Sequence, residues 1–219
     1  MRHGSLPAAV LAAADDRQGG ALEVAATAVD GLLEIAADPT LLAEAVAVLL
    51  AGQPAMAPIW HLATAARRPD PPSALAGLRR QLQADGDAAV TTAATWLRER
   101  LATTPGAVAT VSHSSLVERV LAEVGTGFST TPVLGVVGAD AIGPRALLNA
   151  AGTRELAGRV PTLVVATAVK LVPAEVFGRL GGPGFEVVPL EAMAVVVVGP
   201  EVLSPAEAGR RAAQLSGGL

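Results

Sequence analysis

The sequence contains no cysteine and no tyrosine, and only three phenylalanines and two tryptophans occur among its 219 residues. The absence of cysteine excludes disulfide bonds, thiolate metal sites and a cysteine nucleophile. The three histidines are scattered along the chain, so they do not form a zinc-binding cluster. With so few aromatic rings, the hydrophobic core must be built from alanine, valine and leucine.

Long apolar runs and an excess of positive charge are also missing. No stretch of about 18 uncharged apolar residues occurs, so we predict no membrane span. The net charge of −4 gives no electrostatic basis for binding nucleic acid. We therefore expect a cytoplasmic protein without nucleic-acid or membrane partners, and we expect neither a metal nor a cofactor.

The first half of the chain has helical periodicity. From Gly20 to about Thr104, apolar residues recur at intervals of three and four. Breaks fall at Asp38-Pro39, Gly52-Gln53-Pro54, the prolines of 69–72 and Asp85-Gly86. This pattern predicts a bundle of about five helices, and we assign residues 1–105 to an N-terminal helical domain.

The second half alternates between short apolar runs and helical stretches. The runs 107–112, 133–137, 162–168 and 194–198 are rich in β-branched residues and do not alternate between apolar and polar, as is typical of strands buried on both faces of a parallel sheet. Predicted helices cover 116–124, 146–157 and 173–180, and a last helix begins at the capping box Ser204-Pro205-Ala206-Glu207. We predict a reduced Rossmann-like α/β domain over 106–219, with a parallel sheet of about four to five strands.

Several motifs, in order, resemble one known family. They are Gln53–Pro58, Thr110–Val117, Gly138-Ala139-Asp140, Asn149-Ala150-Ala151-Gly152-Thr153, and Val160–Ala166 with Lys170. Together they resemble the family that joins the regulatory subunits of initiation factor 2B to ribose-1,5-bisphosphate and methylthioribose-1-phosphate isomerases. The resemblance spans residues 20 to 210 and implies a helical bundle, a Rossmann-like sheet and a phosphorylated small-molecule ligand.

The same residues also suit a ligand site on physical grounds. Parallel sheets bind ligands beyond the carboxyl ends of their strands, where residues 112–115 and Asp140 are predicted to lie. Gly152 and Thr153 stand near a helix start, where free backbone N–H groups can bind an anion. The predicted ligand-binding residues are Ser112, His113, Ser115, Asn149, Gly152, Thr153 and Lys170.

Structural alternatives exist for four of the candidate site residues. Asp140 can cap the turn after its strand, and Ser114 or Ser115 can cap the following helix. Lys170 can equally be a solvated charge at a strand end. The sequence does not decide between these roles and a role in binding.

The chain departs from the family at its chemical groups. The family's acid/base pair is a cysteine and the aspartate of Gly-Ala-Asp, which correspond to Ser114 and Asp140 here; a hydroxyl is a much weaker acid than a thiol. Gln53 and Ala150 replace an arginine and a lysine, and each loss removes a charge-assisted bond worth roughly 1.5–3 kcal/mol. Three functions follow: a non-catalytic or weakly active binder of a phosphorylated sugar or nucleotide, an aldose–ketose isomerase using Asp140 and Ser114, or a regulatory assembly subunit.

A shortened connection also distinguishes this chain. Only the eight residues 125–132 separate the helix of 116–124 from the next strand, where family members hold two further strands with their helices. Without them the first strand becomes an exposed edge, which proteins normally cover. We expect a second subunit, in a homodimer or higher oligomer, or the N-terminal bundle to cover it.

Overall fold

The computed structural model describes residues 5–111, 114–125 and 132–215. Within these ranges a helical N-terminal part precedes a parallel-rich sheet, and this confirms the predicted fold class. The helices are α1 (Ala8–Asp15), α2 (Ala21–Glu34), α3 (Pro39–Gly52), α4 (Ala57–Ala66), α5 (Pro71–Thr103), α6 (Ser115–Val124), α7 (Thr153–Arg159), α8 (Ala174–Phe177) and α9 (Pro205–Gln214). The strands are β1 (Ala107–Ala109), β2 (Pro132–Val137), β3 (Ala141–Ile142), β4 (Ala146–Ala150), β5 (Thr162–Ala166), β6 (Phe185–Pro189), β7 (Val195–Val198) and β8 (Glu201–Leu203).

The main sheet has the order β1-β2-β5-β7-β8. Its first four strands run parallel, and β8 returns antiparallel to β7 in a hairpin. All residues of β5 and β7 are buried, in agreement with their continuous apolar sequences. Strand β1 pairs with β2 alone among the described strands and therefore forms one edge of the sheet.

A second sheet, β3-β4-β6, was not predicted from the sequence. The predicted helix over 146–157 is wrong in its first half, because Ala146–Ala150 forms the central strand β4 and α7 begins only at Thr153. Strand β4 pairs with β6 along its whole length. Leu147 packs into the core beside the main sheet, whereas Leu148 packs with Trp60 on the other side. Neighbouring residues buried on opposite sides require the alternation of a strand.

Helix α5 links the bundle to the sheet. The break predicted at Asp85-Gly86 is wrong, because α5 runs without interruption for 33 residues, about 50 Å. Gly86 is buried where α2 crosses, and a Cβ at this position would lie 3.1 Å from Leu22 Cδ2. Leu82 of α5 belongs to the bundle core, whereas Leu97 packs against the sheet. The helices of the N-terminal part end at Thr103, and the first strand of the sheet begins at Ala107. A separate domain over residues 1–105 stays a prediction.

The described helices also bear on the question of a membrane. Among residues 5–111, 114–125 and 132–215, no α-helix combines the length and the apolar character needed to span a bilayer. Even the long helix α5 has its buried residues on one side only and carries polar and charged residues elsewhere.

Close packing of α1 against α3 predicts the effect of a single methyl group. A Cβ at Gly52 would lie 2.4 Å from the Ala14 carbonyl oxygen, which is backbone and has little room to move. We expect Gly52→Ala to lower the free energy of unfolding by about 1–3 kcal/mol, measured by urea denaturation. Gly77→Ala is the control, because no atom lies within 4 Å of its Cβ position and helix propensity should raise stability by about 0.5–1 kcal/mol. Equal stabilities of the two variants would contradict this packing.

Candidate functional site

A cavity of about 940 Å³ opens between the helical bundle and the carboxyl ends of the sheet strands. Its walls come from the start of α2, the α3–α4 connection, the start of α6, the residues after β2 and the loop before β6. Five of the residues predicted from the sequence line it, namely Ser114, Ser115, Asp140, Asn149 and Lys170. Gly152 and Thr153 do not, and Ser112 and His113 lie outside the described residues.

Backbone hydrogen bonds hold Asp140 at the end of β2. Its N–H donates to Leu148 O of β4 at 2.8 Å, and its carbonyl accepts from Ala57 N of α4 at 3.0 Å. The carboxylate itself makes no hydrogen bond within the described part of the chain, so it does not act as a turn cap. Burial raises the pKa of Asp140, and the charge of Lys170 opposes this increase.

Ser114 lies against Gly138, two residues before Asp140 in the sequence. A Cβ at Gly138 would lie 2.8 Å from Ser114 Oγ, so only glycine leaves room for this serine. Ser114 occupies the N-cap position of α6, but its hydroxyl makes no capping hydrogen bond. The hydroxyl therefore remains available to a ligand in the cavity.

Lys170 is a buried residue and not a solvated strand-end charge. It ends a single 3-10 turn after β5, and only 4% of its surface is exposed. Its ammonium group makes neither a hydrogen bond nor an ion pair within 4.0 Å in the described part of the chain. Burial lowers the pKa of Lys170 to about 8, and the nearby Asp140 carboxylate limits the decrease.

Asn149 is positioned by Thr153. The Thr153 hydroxyl donates to Ala150 O at 2.7 Å and accepts from Asn149 Nδ2 at 2.9 Å. This arrangement fixes the amide orientation and leaves Asn149 Oδ1 without a partner among the described residues. Thr153, fully buried, therefore supports Asn149 and does not itself face the cavity.

The start of α7 does not offer the anion site predicted at Gly152 and Thr153. The helix has only seven residues, and its Arg154 N–H donates to Glu186 Oε1 at 2.8 Å. A carboxylate of the protein itself thus occupies this helix end. Gly152 has a φ of 98° and serves the tight turn between β4 and α7.

Two helix N-termini meet at the cavity, and the sequence prediction had missed that of α2. The starts of α2 and α6 are adjacent, since a Cβ at Gly20 would lie 3.5 Å from the Ser115 backbone nitrogen. A helix N-terminus carries partial positive charge and unpaired N–H groups. The Gly20 N–H at the start of α2 is bonded to Glu23 Oε2 at 3.2 Å, so the first-turn N–H groups that remain to a ligand are those of both helices beyond this bond.

The turn before α2 brings Arg17 into the cavity. The Asp16 carboxylate accepts hydrogen bonds from the Gly19 and Gln18 amides at 2.7 and 2.8 Å, and these bonds lower the pKa of Asp16. Arg17 Nη1 donates to Ala14 O at 2.7 Å, which fixes the guanidinium at the cavity edge.

Gln53, the replacement for an arginine, has an internal role. It is buried, and its Nε2 donates to Ala13 O at 2.8 Å and to Asp16 O at 2.6 Å. The amide thereby caps the end of α1 and holds the turn that carries Arg17. Its donors are engaged in these bonds, so it contributes shape and not charge to the site.

One composition signal had also been missed. Of the 16 basic residues in the sequence, 15 are arginine and Lys170 is the only lysine. The one lysine of the chain is therefore also a buried residue of the cavity wall.

Comparisons with known proteins identify the fold. No protein-family model matches the sequence, and no curated protein sequence matches it. Among solved structures, translation initiation factor eIF-2B of Pyrococcus horikoshii OT3 is similar, with a TM-score of 0.66, 17% identity, and coverage of 91% of this chain and 96% of that chain. The beta subunit of eIF2B from Chaetomium thermophilum has a TM-score of 0.66 at 13% identity, with coverage of 94% and 89%.

An enzyme of the same fold is also similar. The 5-methylthioribose 1-phosphate isomerase of Pyrococcus horikoshii OT3 has a TM-score of 0.57 and 14% identity, with coverage of 93% of this chain and 86% of that chain. The resemblance predicted from the sequence is therefore confirmed at the level of the fold. The chain has the fold that eIF2B subunits share with this isomerase.

The buried lysine predicts how stability changes with pH. Its pKa falls from 10.5 to about 8 on folding, so between these values the unfolded chain binds more protons than the folded one. Stability therefore rises with pH in this window, by up to roughly 3 kcal/mol, and falls to a plateau below it. The sequence has no cysteine, no tyrosine and no second lysine, so no other side chain has an ordinary pKa in this range.

Urea denaturation at pH 7.5, 8.5 and 9.5 checks this prediction. The unfolding free energy of the native protein should increase over the series, and that of Lys170→Met should not. Parallel pH profiles for the two proteins would show that Lys170 is not desolvated.

Proposed function

We propose that the protein binds a small phosphorylated sugar or nucleotide in this cavity, with little or no catalytic turnover. The observation that carries this proposal is the convergence of two helix N-termini, Arg17 and Lys170 on one cavity that also holds Asp140. A volume of about 940 Å³ accommodates a ligand of that size.

The N–H donors and the arginine on one wall of the cavity suit a phosphate group. Helix N-termini and arginine are common phosphate ligands. The backbone N–H groups of a helix start point toward the anion, and the arginine guanidinium remains positive at all physiological pH values. The adjacent starts of α2 and α6 lie next to the turn that carries Arg17. We place the phosphate against this wall.

The opposite side of the cavity suits the hydroxyl groups of a sugar. Asp140 and Asn149 Oδ1 provide hydrogen-bond acceptors without partners among the described residues, and the Ser114 hydroxyl can donate or accept. A phosphorylated sugar presents both kinds of group at once. The fold neighbour named as an isomerase of 5-methylthioribose 1-phosphate supports this ligand class.

The poor acidity of Ser114 favours binding over catalysis. Its hydroxyl has no activating base among the described residues, and no described histidine lines the cavity. An unactivated hydroxyl does not transfer a proton to a sugar carbonyl at a useful rate. A ligand would therefore be held without conversion.

Calorimetric titration with ribose 5-phosphate and AMP tests the binding proposal. Arg17→Ala removes charge-assisted bonds to phosphate and should weaken binding by about 10- to 150-fold. Arg145→Ala is the matched control, since Arg145 is exposed and lies outside the cavity, and it should bind like the native protein. Ribose and adenosine, which lack the phosphate, should bind far more weakly.

Two results would contradict the proposal. No heat or thermal shift with any phosphorylated ligand would leave the assembly subunit as the remaining function. Equal losses in Arg17→Ala and Arg145→Ala would place the ligand elsewhere on the protein.

One observation favours an isomerase as the second candidate. Burial raises the pKa of Asp140, and a carboxyl group with a raised pKa can abstract and return the proton next to a sugar carbonyl. Proton NMR of ribose 5-phosphate with the protein would show interconversion to the ketose. Asp140→Asn should abolish that conversion, and conversion that survives in this variant would exclude Asp140 as the base.

We also propose that the protein self-associates through the β1 edge. Strand β1 pairs with β2 on one side only within the described residues, and Val111 just beyond it is 38% exposed. Unpaired edges are commonly covered in native proteins. Light scattering during size-exclusion chromatography should give at least a dimer, whereas a monomer at high concentration would contradict this proposal.

A further inference from the structure

We propose that Lys170 captures carbonyl compounds, forming an imine with the aldehyde or ketone group of an open-chain phosphorylated sugar in the cavity. This inference rests on the proposed function for its ligand class. It adds a covalent step at Lys170, which the proposed function treats only as a cation of the cavity wall.

The composition of the chain sets Lys170 apart. Among the 16 lysine and arginine residues every other one is arginine, including Arg17 in the same cavity. A guanidinium is a better phosphate ligand than an ammonium and stays protonated, but it does not form imines. The one property that lysine adds here is a primary amine that can lose its proton and attack a carbonyl carbon.

The backbone around Lys170 is fixed while its amine is not. Its N–H donates to Thr167 O at 3.0 Å, and the preceding Val169 is buried in the bundle core. On the other side, His61 Nε2 of α4 donates to Leu171 O at 2.9 Å. The amine makes no hydrogen bond within the described residues and belongs to the cavity lining, so it is free to react with a bound ligand.

The protonation state suits the reaction. Burial lowers the pKa of Lys170 to about 8, so roughly a tenth of the molecules carry the neutral amine at pH 7. The charge of Asp140 opposes this decrease. Burial lowers the pKa of His61 as well, which favours the neutral form of that ring. Asp16, Arg17 and Glu118 are the other charged residues of the described cavity wall.

The reaction balances without a redox partner. The neutral amine attacks the carbonyl carbon, an N–C bond forms, and a proton passes from the attacking nitrogen to the carbonyl oxygen to give a neutral carbinolamine. Asp140 takes up a proton, which burial favours by raising its pKa, and gives it to the carbinolamine hydroxyl. Water leaves as the C–O bond breaks, and the resulting iminium is paired with the Asp140 carboxylate.

Borohydride trapping followed by peptide mass mapping tests the proposal. The native protein is incubated with ribose 5-phosphate, reduced with sodium borohydride and digested. The α-amino group at the N-terminus is an internal control, because it is the one primary amine besides that of Lys170. We expect adduct at Lys170 at least tenfold above the adduct at the α-amino group, with saturation as the sugar concentration rises.

Two variants and a second aldehyde complete the experiment. Lys170→Arg keeps the positive charge and should lose the adduct, and Asp140→Asn should reduce its rate of formation. Glyceraldehyde, which has no phosphate, should label Lys170 more slowly than glyceraldehyde 3-phosphate at equal concentration. The mapping in the native protein needs no variant, so a folding defect in either one does not affect its result.

The outcomes separate this inference from the proposed function. Binding of ribose 5-phosphate without adduct at Lys170 overturns the imine and leaves phosphate binding intact. Labelling of Lys170 by glyceraldehyde, without binding of any phosphorylated ligand, supports the reactive amine and overturns phosphate recognition. Adduct that is equal at the α-amino group and at Lys170 overturns the inference, because ligand binding in the cavity then gives the lysine no advantage over another amine.

Discussion

The site depends on two groups of opposite charge, Asp140 and Lys170, that line one cavity between the bundle and the sheet. Each loses hydration there, and their mutual attraction recovers only part of that loss. Helix α4 fixes both by backbone contacts, through Ala57 N to Asp140 O and His61 to Leu171 O. The bundle and the sheet must therefore be packed together for Asp140 and Lys170 to line the same cavity. Helix α5 packs in both cores and holds the two parts together.

The parts of the fold predicted from the sequence are those with local causes. The strands β2, β5 and β7 are continuous apolar runs, and the last helix begins with a capping box that the structure contains. Strand β4 has the helix-favouring sequence of 146–150, and its conformation comes from pairing with β6, about 40 residues further along. Gly86 was similarly mistaken for a break, because the close approach of Leu22 that explains it is not local.

The candidate site, like the fold, was predictable where local sequence patterns define it and not where long-range contacts do. Asp140 was recognised because the carboxyl ends of parallel strands share one rim, and Asn149 was recognised from the motif Asn149–Thr153 that resembles the family. The contact of Glu186 with Arg154 N and that of Gln53 with Ala13 O join segments more than 30 residues apart, so no local pattern reveals them. These two contacts decide what the site offers, since one closes the helix end predicted for an anion and the other supports the turn that carries Arg17.

Charge alone does not account for the lysine in this cavity. A buried arginine would keep its proton, bind phosphate with two parallel hydrogen bonds and pair with Asp140 more favourably than an ammonium does. The chain uses arginine at all 15 other basic positions, but at the buried position beside a carboxyl group it has the residue that most easily becomes neutral. With no cysteine in the chain and an unactivated hydroxyl at Ser114, the amine of Lys170 is the strongest nucleophile of the described cavity wall. Imine formation with a ligand carbonyl is the chemistry that we propose for this set of groups.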